Sequence, residues 1–197
     1  LWVGGEIHRE MPPLPEQVVS SSGQVVFTRA DIETGRQVWQ SVGGHQLGSV
    51  WGHGGYVAPD WTADWLHREA VDILDQWARR DAGVASFDSL DAAGQAALSA
   101  RLAADLRVNT YDPASGTITI SDERAVAIAN VSAHYQSLFS NDPATAVLRE
   151  NYAMRNNTVP DAAHRKAMTA FYWWTAWSAT TERPGKDITY TNNWPHE

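Results

Sequence analysis

The residues with the most capacity for chemistry are gathered in one stretch of the chain. Between Ser41 and Pro59 stand Gly43, Gly44, Gly48, Gly52, Gly54 and Gly55, interleaved with Trp51, His53 and Tyr56. Glycine lets a backbone turn sharply and approach a ligand closely, so such a stretch offers amides and carbonyls to an ion or a partner. On the residues alone two readings stay open: an Ω-type loop packed between helices, or a binding loop carrying His53, Tyr56 and Trp51. The seven histidines include no His-x-x-x-His and no His-Glu-x-x-His pattern, so they supply no self-contained zinc site. His53 reads instead as a hydrogen-bonding loop residue. Asp60, Asp64 and Asp72 read as a helix cap and a solvated face rather than as an acid–base pair, which would need two carboxyls converging across a cleft. Neither a Gly-x-Ser-x-Gly elbow nor a phosphate-binding loop occurs.

Composition narrows the partners. The chain of 197 residues is long enough for one domain that buries roughly 70% of the surface its unfolded form exposes. Its net charge of −8 and lack of a basic stripe exclude a nucleic-acid binder and argue against docking on anionic lipid. The absence of cysteine removes disulfides, thiolate metal sites, cysteine nucleophiles and covalent heme attachment through Cys-x-x-Cys-His. Ten tryptophans suit interfaces and membrane–water boundaries as well as cores. No signal peptide is recognisable, and the stretch Ala167 to Thr181 is too short and too polar to span a bilayer.

The elements that must hold the glycine-rich stretch are mostly helical. Residues 4–22 read as extended and irregular, with a turn at Ser20-Ser21-Ser22-Gly23, and Gln24 to Phe27 reads as a short strand. Thr28, with Asp31 three residues on, caps a helix to about Gln40 that buries Ile32 and Trp39. Asp60 caps a second helix to about Arg80, with Trp61, Trp65, Val71, Leu74, Trp77 and Ala78 at helical spacing. Asp88 or Ser89 opens a third, to about Leu106. Val108 to Ile120 reads as a hairpin around Asp112-Pro113-Ala114-Ser115-Gly116. Ser121 or Asp122 caps a helix to about Ser140, Asp142-Pro143 one to about Met154, and Pro160 opens the last long helix, ending near Thr181. The class is mainly α with a small β-hairpin, in a single domain over 1–197.

Two flanks of the glycine-rich stretch carry a family likeness. Gly35-Arg36-Gln37-Val38-Trp39 and Gly52-His53-Gly54-Gly55-Tyr56-Val57-Ala58-Pro59-Asp60 resemble the two ends of the heme-binding pattern in cytochrome c subunits of nitric oxide reductases. Counting back from Tyr56 puts Gly44, Leu47 and Gly48 where that pattern has its two cysteines and histidine. The segments Ser49 to Tyr56, Ala58-Pro59-Asp60-Trp61 and Trp65-Leu66-His67 are similar to the single-chain, quinol-dependent branch of the family, as are Gly4-Gly5-Glu6-Ile7 and Tyr190 to Pro195. The resemblance implies a cytochrome c-like helical domain with embellishing helices, its core at about 24–80 followed by C-terminal helices, holding no heme c and excised from a polytopic membrane protein. It implies a place on the periplasmic side of the bacterial inner membrane, capping a transmembrane catalytic part. That part would reduce NO to N2O at heme b3 and a non-heme iron, with heme b and a quinol as donor. It also implies a calcium at the membrane interface, to which Gly54 and Tyr56 would offer oxygens. The fragment alone would have no catalytic residue.

The last long helix adds Phe171-Tyr172-Trp173-Trp174 and Trp177. Helix neighbours point about a hundred degrees apart, so adjacent rings cannot all face one core. At least one of Trp173, Trp174 and Trp177 is therefore expected at a contact surface, with His53 in the loop. A rival reading makes the chain a free-standing Trp-rich periplasmic module with indoles as platforms for carbohydrate. A further one makes it a small enzyme using His53 and a carboxylate.

Overall fold

A computed structural model describes residues 11–192. The segment Gly4 to Ile7 and the end of Tyr190 to Pro195 lie outside them. Among the described residues six helices surround an aromatic core, with a small mixed sheet at one side. Strand β1 (Gln17–Ser20) turns through Ser21 to Gln24 into β2 (Val25–Thr28). Helix α1 (Arg29–Ser41) follows at once, because Thr28 and Asp31 form a reciprocal capping box: the hydroxyl accepts from the Asp31 amide and the carboxylate accepts from the Thr28 amide. The glycine-rich loop, with a 3-10 turn at Gly44–Leu47, leads to α2 (Trp61–Trp77), which loosens into a π-turn at Ala78–Ala82. Helix α3 (Ala92–Arg107) is capped by Asp91, a few residues after the expected start, since Phe87–Ser89 first makes a 3-10 turn. Strands β3 (Tyr111–Asp112) and β4 (Thr117–Ile120) form the expected hairpin. Ser121 caps α4 (Asp122–Leu138), a short α5 (Ala146–Asn151) follows the Asp142-Pro143 turn, and Asp161 caps α6 (Ala162–Thr180).

The hairpin is only half of the sheet. The strand order is β2-β1-β4-β3, with β1 antiparallel to β2 and parallel to β4. Gln17 to Ser20, read from sequence as irregular, is therefore a central strand, with Val18 fully buried and Ser20 nearly so. A strand of four residues after Pro15 is too short to show periodicity, and its partner β4 lies about a hundred residues away, beyond any local signal.

Helix α6 is the axis of the molecule. From Ala167 to Ala179 every side chain is buried except that of Trp174, so this part of the helix is enclosed on every side but one. Its closest neighbour is α1, and Gly35 sits at the crossing: a Cβ there would lie 2.1 Å from the Ala167 carbonyl oxygen. Around α6 the rings of Trp61, Trp65, Tyr135, Phe139 and Tyr172 interlock. Trp65 stacks on Tyr135 at 5.4 Å between centroids and Trp61 on Tyr172 at 5.8 Å. A smaller cluster of Ile73, Leu74, Trp77, Leu102 and Ala127 joins α2, α3 and α4. Val71, expected on the inner face of α2, is exposed; Ile73 takes the inner position.

Candidate functional site

The glycine-rich loop is built on one carboxylate. Asp60 is buried, and its Oδ1 accepts from the amides of Thr62 and Ala63, each at 3.0 Å, which caps α2. Its Oδ2 accepts from the Ser49 hydroxyl at 2.6 Å and from the Gly52 amide at 2.8 Å. The Ser49 oxygen in turn accepts from the Gly54 amide at 2.7 Å, and the Trp61 amide donates to the Ser49 carbonyl at 2.8 Å. One side chain thus ties the two ends of a loop to the start of a helix. The helix N-terminus favours the negative charge, and every donor is already oriented toward it.

Above this base the chain reverses tightly. The Gly55 amide donates to the Ala58 carbonyl at 2.8 Å, leaving Tyr56 and Val57 at the tip. Tyr56 is completely exposed and Val57 about half exposed; His53 is exposed as well. On the inner side, Trp51 adopts a left-handed backbone with φ of 51°, a conformation non-glycine residues rarely take. It is held there by its indole, which donates to the Thr175 carbonyl at 2.9 Å and packs on Trp174 at 5.6 Å. The loop is rigid at its root and presents an aromatic tip.

The three aromatic residues of α6 divide unequally. Trp173 and Trp177 are buried in the core, packed on Phe27 and Tyr190 respectively, and so are not surface residues. Only Trp174 turns outward. It is half-buried, because Trp51 covers one side and its indole donates to the Pro13 carbonyl at 3.0 Å. Loop, N-terminal segment and α6 consequently meet at this one ring. The expectation of an outward ring narrows to Trp174, since successive residues around a helix enclosed on most sides still find core. Among the described residues Trp51 and Trp174 are half-buried and the other tryptophans are buried.

Other residues singled out from sequence lie apart from the loop. Asp64 pairs with Arg68 at 2.8 Å and accepts from the Tyr135 hydroxyl, while Asp72 accepts from Gln76 and Asn130. Burial, reinforced by that Asp64 charge, raises the Tyr135 phenol well above its ordinary value. His67 and His134 line a surface cleft between α2 and α4 with Asp72 and Asn130. Burial lowers the His134 pKa from its ordinary value, helped by the Arg68 charge and opposed by Asp64. Among the described residues no group of three or more His, Asp or Glu side chains could hold a metal ion.

Sequence reasoning missed a buried ion pair. Glu69 and Arg124 are joined at 2.6 Å, and the Trp65 indole donates to the second Glu69 oxygen at 2.7 Å. The signal was present: Trp61, Trp65, Glu69, Ile73 and Trp77 recur every four residues on α2, so Glu69 stands in an apolar stripe.

Residues 15–196 match the family of NorB cytochrome c-like domains, which are parts of nitric oxide reductase. The chain belongs to that family. No curated protein matches it. A cytochrome c-like frame is one that can carry a covalent heme, and the residues here do not fit one. Gly44, Leu47 and Gly48 supply neither thiol nor imidazole. A side chain at Gly48, where φ is 131°, would begin 2.5 Å from the Trp61 indole nitrogen and 2.7 Å from the Pro59 carbonyl. Beyond them, the rings of Trp61, Tyr135, Phe139 and Tyr172 close the space between α2, α4 and α6. In this nitric oxide reductase domain the cytochrome c-like frame is held by aromatic packing. No helix of the described residues is long and apolar enough to cross a membrane.

Proposed function

We propose that this NorB domain is a heme-free structural cap, on the periplasmic side of a bacterial inner membrane, for a transmembrane catalytic part of the same chain. The full enzyme reduces 2 NO with 2 electrons and 2 protons to N2O and water, the electrons coming from a quinol that is oxidised to the quinone. A quinol delivers its electrons from within the membrane, so the reaction needs no covalent heme relay outside it. The catalytic groups (heme b, heme b3 and a non-heme iron) belong to the membrane part, and no residue of this domain is catalytic.

The observation that carries this reading is the loop from Ser49 to Asp60: locked at its base by a buried carboxylate and bare at its tip, where Tyr56 is fully exposed. A tyrosine projected from a rigid root loses little entropy on docking, since its backbone is already fixed. His53 and Trp174 flank the proposed contact face, while Trp173 and Trp177 act only as core. Gly54 and Tyr56 provide two hard oxygen donors for a calcium at the seam. Calcium takes about six to eight oxygens, so the membrane part supplies the others.

Three measurements test this. The reading frame around the segment is expected to contain several apolar spans of about 20 residues. In the full enzyme, Tyr56→Ala is expected to lower NO turnover and calcium content together, whereas Tyr56→Phe lowers calcium content and retains part of the turnover. NO consumption by the isolated 197-residue chain supplied with quinol would overturn the cap role, as would a frame without apolar spans.

A further inference from the structure

Away from the loop, a groove of about 440 Å³ runs between the β1–β2 hairpin and one face of α4. Hydrogen bonds fix its two ends. The Ser22 amide donates to Asp122 at 3.0 Å, which ties the hairpin turn to the start of α4. At the far end the Val159 amide donates to the Phe139 carbonyl, and Arg165 donates to the Val159 carbonyl. These bonds bring the first turns of α6, with Lys166, beside the end of α4, where Gln136 lines the groove. From Asp122 to Gln136 the helix rises about 21 Å. The groove exists because α4 places Ala125 and Ala129 along that face, four residues apart, where larger side chains would fill it.

The walls and the ends define what fits. Val25 on the strand and Val126 on the helix line the groove and are 51% and 50% exposed. Single exposed valines are ordinary, but these two share one groove with Val26, Ala125 and Ala129, and together they make a continuous apolar strip. The charged groups at the two ends differ in state. Asp122 is already served by the Ser22 amide and by hydroxyls of the same turn. Lys166 has no counter-ion among the described residues. An apolar body with one negative end is therefore matched along its length, whereas a positive head would be repelled by Lys166. The net charge of −8 does not oppose this, because charges more than about 8 Å away are largely screened at physiological salt. The volume lies within the range of ligand pockets, about 300–1,000 Å³.

We propose that this groove binds a fatty acid, a single-chain amphiphile whose carboxylate pairs with Lys166 beside Gln136 and whose tail lies along Ala129, Val126 and Val25 toward the hairpin turn. The site is independent of the cap role: it uses none of the loop residues and stands whether or not that role does.

The experiment is an NMR titration of the 197-residue chain labelled with 13C in its valine methyl groups, following the Val25 and Val126 signals, assigned by their loss in Val25→Ala and Val126→Ala. Octanoate is the probe; octylammonium has the same tail with the opposite charge, and hexanoate has a shorter tail. Octanoate is expected to move both signals saturably. Octylammonium is expected to bind about ten-fold more weakly, and hexanoate about four- to fifteen-fold more weakly through its smaller apolar area. Lys166→Met is expected to weaken octanoate about three-fold, the loss of one exposed ion pair, and Lys166→Glu to reverse the preference between octanoate and octylammonium. Ala129→Phe, on the exposed side of α4, fills the groove and is expected to abolish the shift. Val126→Asp, read from the Val25 signal, does the same should that variant fail to fold. No saturable shift, octylammonium binding as tightly as octanoate, a preference unmoved by Lys166→Glu, or an undiminished shift in a folded groove variant would each overturn the assignment.

Discussion

Replacing Asp60 with alanine takes away the one group that joins the loop to α2. The cap contributes about 1 kcal/mol, the usual loss when an Asp N-cap becomes Ala. Two further donors, the Ser49 hydroxyl and the Gly52 amide, lose their acceptor, at about 1–3 kcal/mol each when buried. Gly52 is half-buried and the Ser49 hydroxyl can rotate, so the lower part of that range applies, and the total is about 3–5 kcal/mol. For a chain of this size, about 2–4 °C of Tm per kcal/mol gives a fall of roughly 6–20 °C. Asp60→Asn separates the two halves of the role. Its carbonyl keeps the bonds from Thr62 and Ala63, but its amide nitrogen faces the Gly52 N–H, so about half of the loss is expected. Urea unfolding followed by circular dichroism measures both variants, and limited proteolysis reports on the loop: cleavage between His53 and Ala58 is expected to rise in step with the destabilisation. An Asp60→Asn protein as stable as the wild type, or an Asp60→Ala loss below about 1 kcal/mol, would refute the view that this carboxylate holds the loop.

Other perturbations follow from the same packing. Gly48→Ala is expected to cost about 3 kcal/mol or more in urea unfolding, because its Cβ meets the Trp61 indole and the backbone is left-handed. A Gly44→Cys, Leu47→Cys, Gly48→His triple variant, made with a heme-attachment system, is expected to yield misfolded protein rather than a c-type absorption band. Glu69→Gln leaves Arg124 buried without its counter-charge and is expected to lose about 3–5 kcal/mol, whereas the joint Glu69→Leu, Arg124→Met variant recovers most of it in a double-mutant cycle. His134 has its folded pKa lowered, so the unfolded chain binds the proton first as pH falls. The stability this residue contributes is complete above its ordinary value of 6.5 and is lost as pH falls through the lowered folded value. Urea midpoints between about pH 7.5 and 5 are expected to decline in the wild type and to flatten in His134→Gln; an unchanged slope would remove His134 as the cause.

How much of this was legible depended on the distance over which each feature is decided. Helix starts were legible at Thr28, Asp60, Ser121 and Asp142, because a cap needs only a side chain within three residues of a free amide. The lack of thiols and of an imidazole at Gly44, Leu47 and Gly48 was fixed by residue identity alone, and the flanking motifs placed the chain in its family. Gly35 and Gly48 could be flagged but not explained: only the crossing of α1 with α6, and the return of Pro59 and Trp61 over the loop, shows what a side chain there would strike. Likewise, the sequence offered Trp173, Trp174 and Trp177 on equal terms. Which of them faces outward is a property of how α1, α2 and α4 close around α6, through contacts between residues far apart in the chain. The parallel pairing of β1 with β4, the burial of Glu69 against Arg124 and the groove between β2 and α4 belong to the same class. Local chemistry selects helices, caps and turns through interactions a few residues long; which faces meet, and which are left open, is decided only when the whole chain packs.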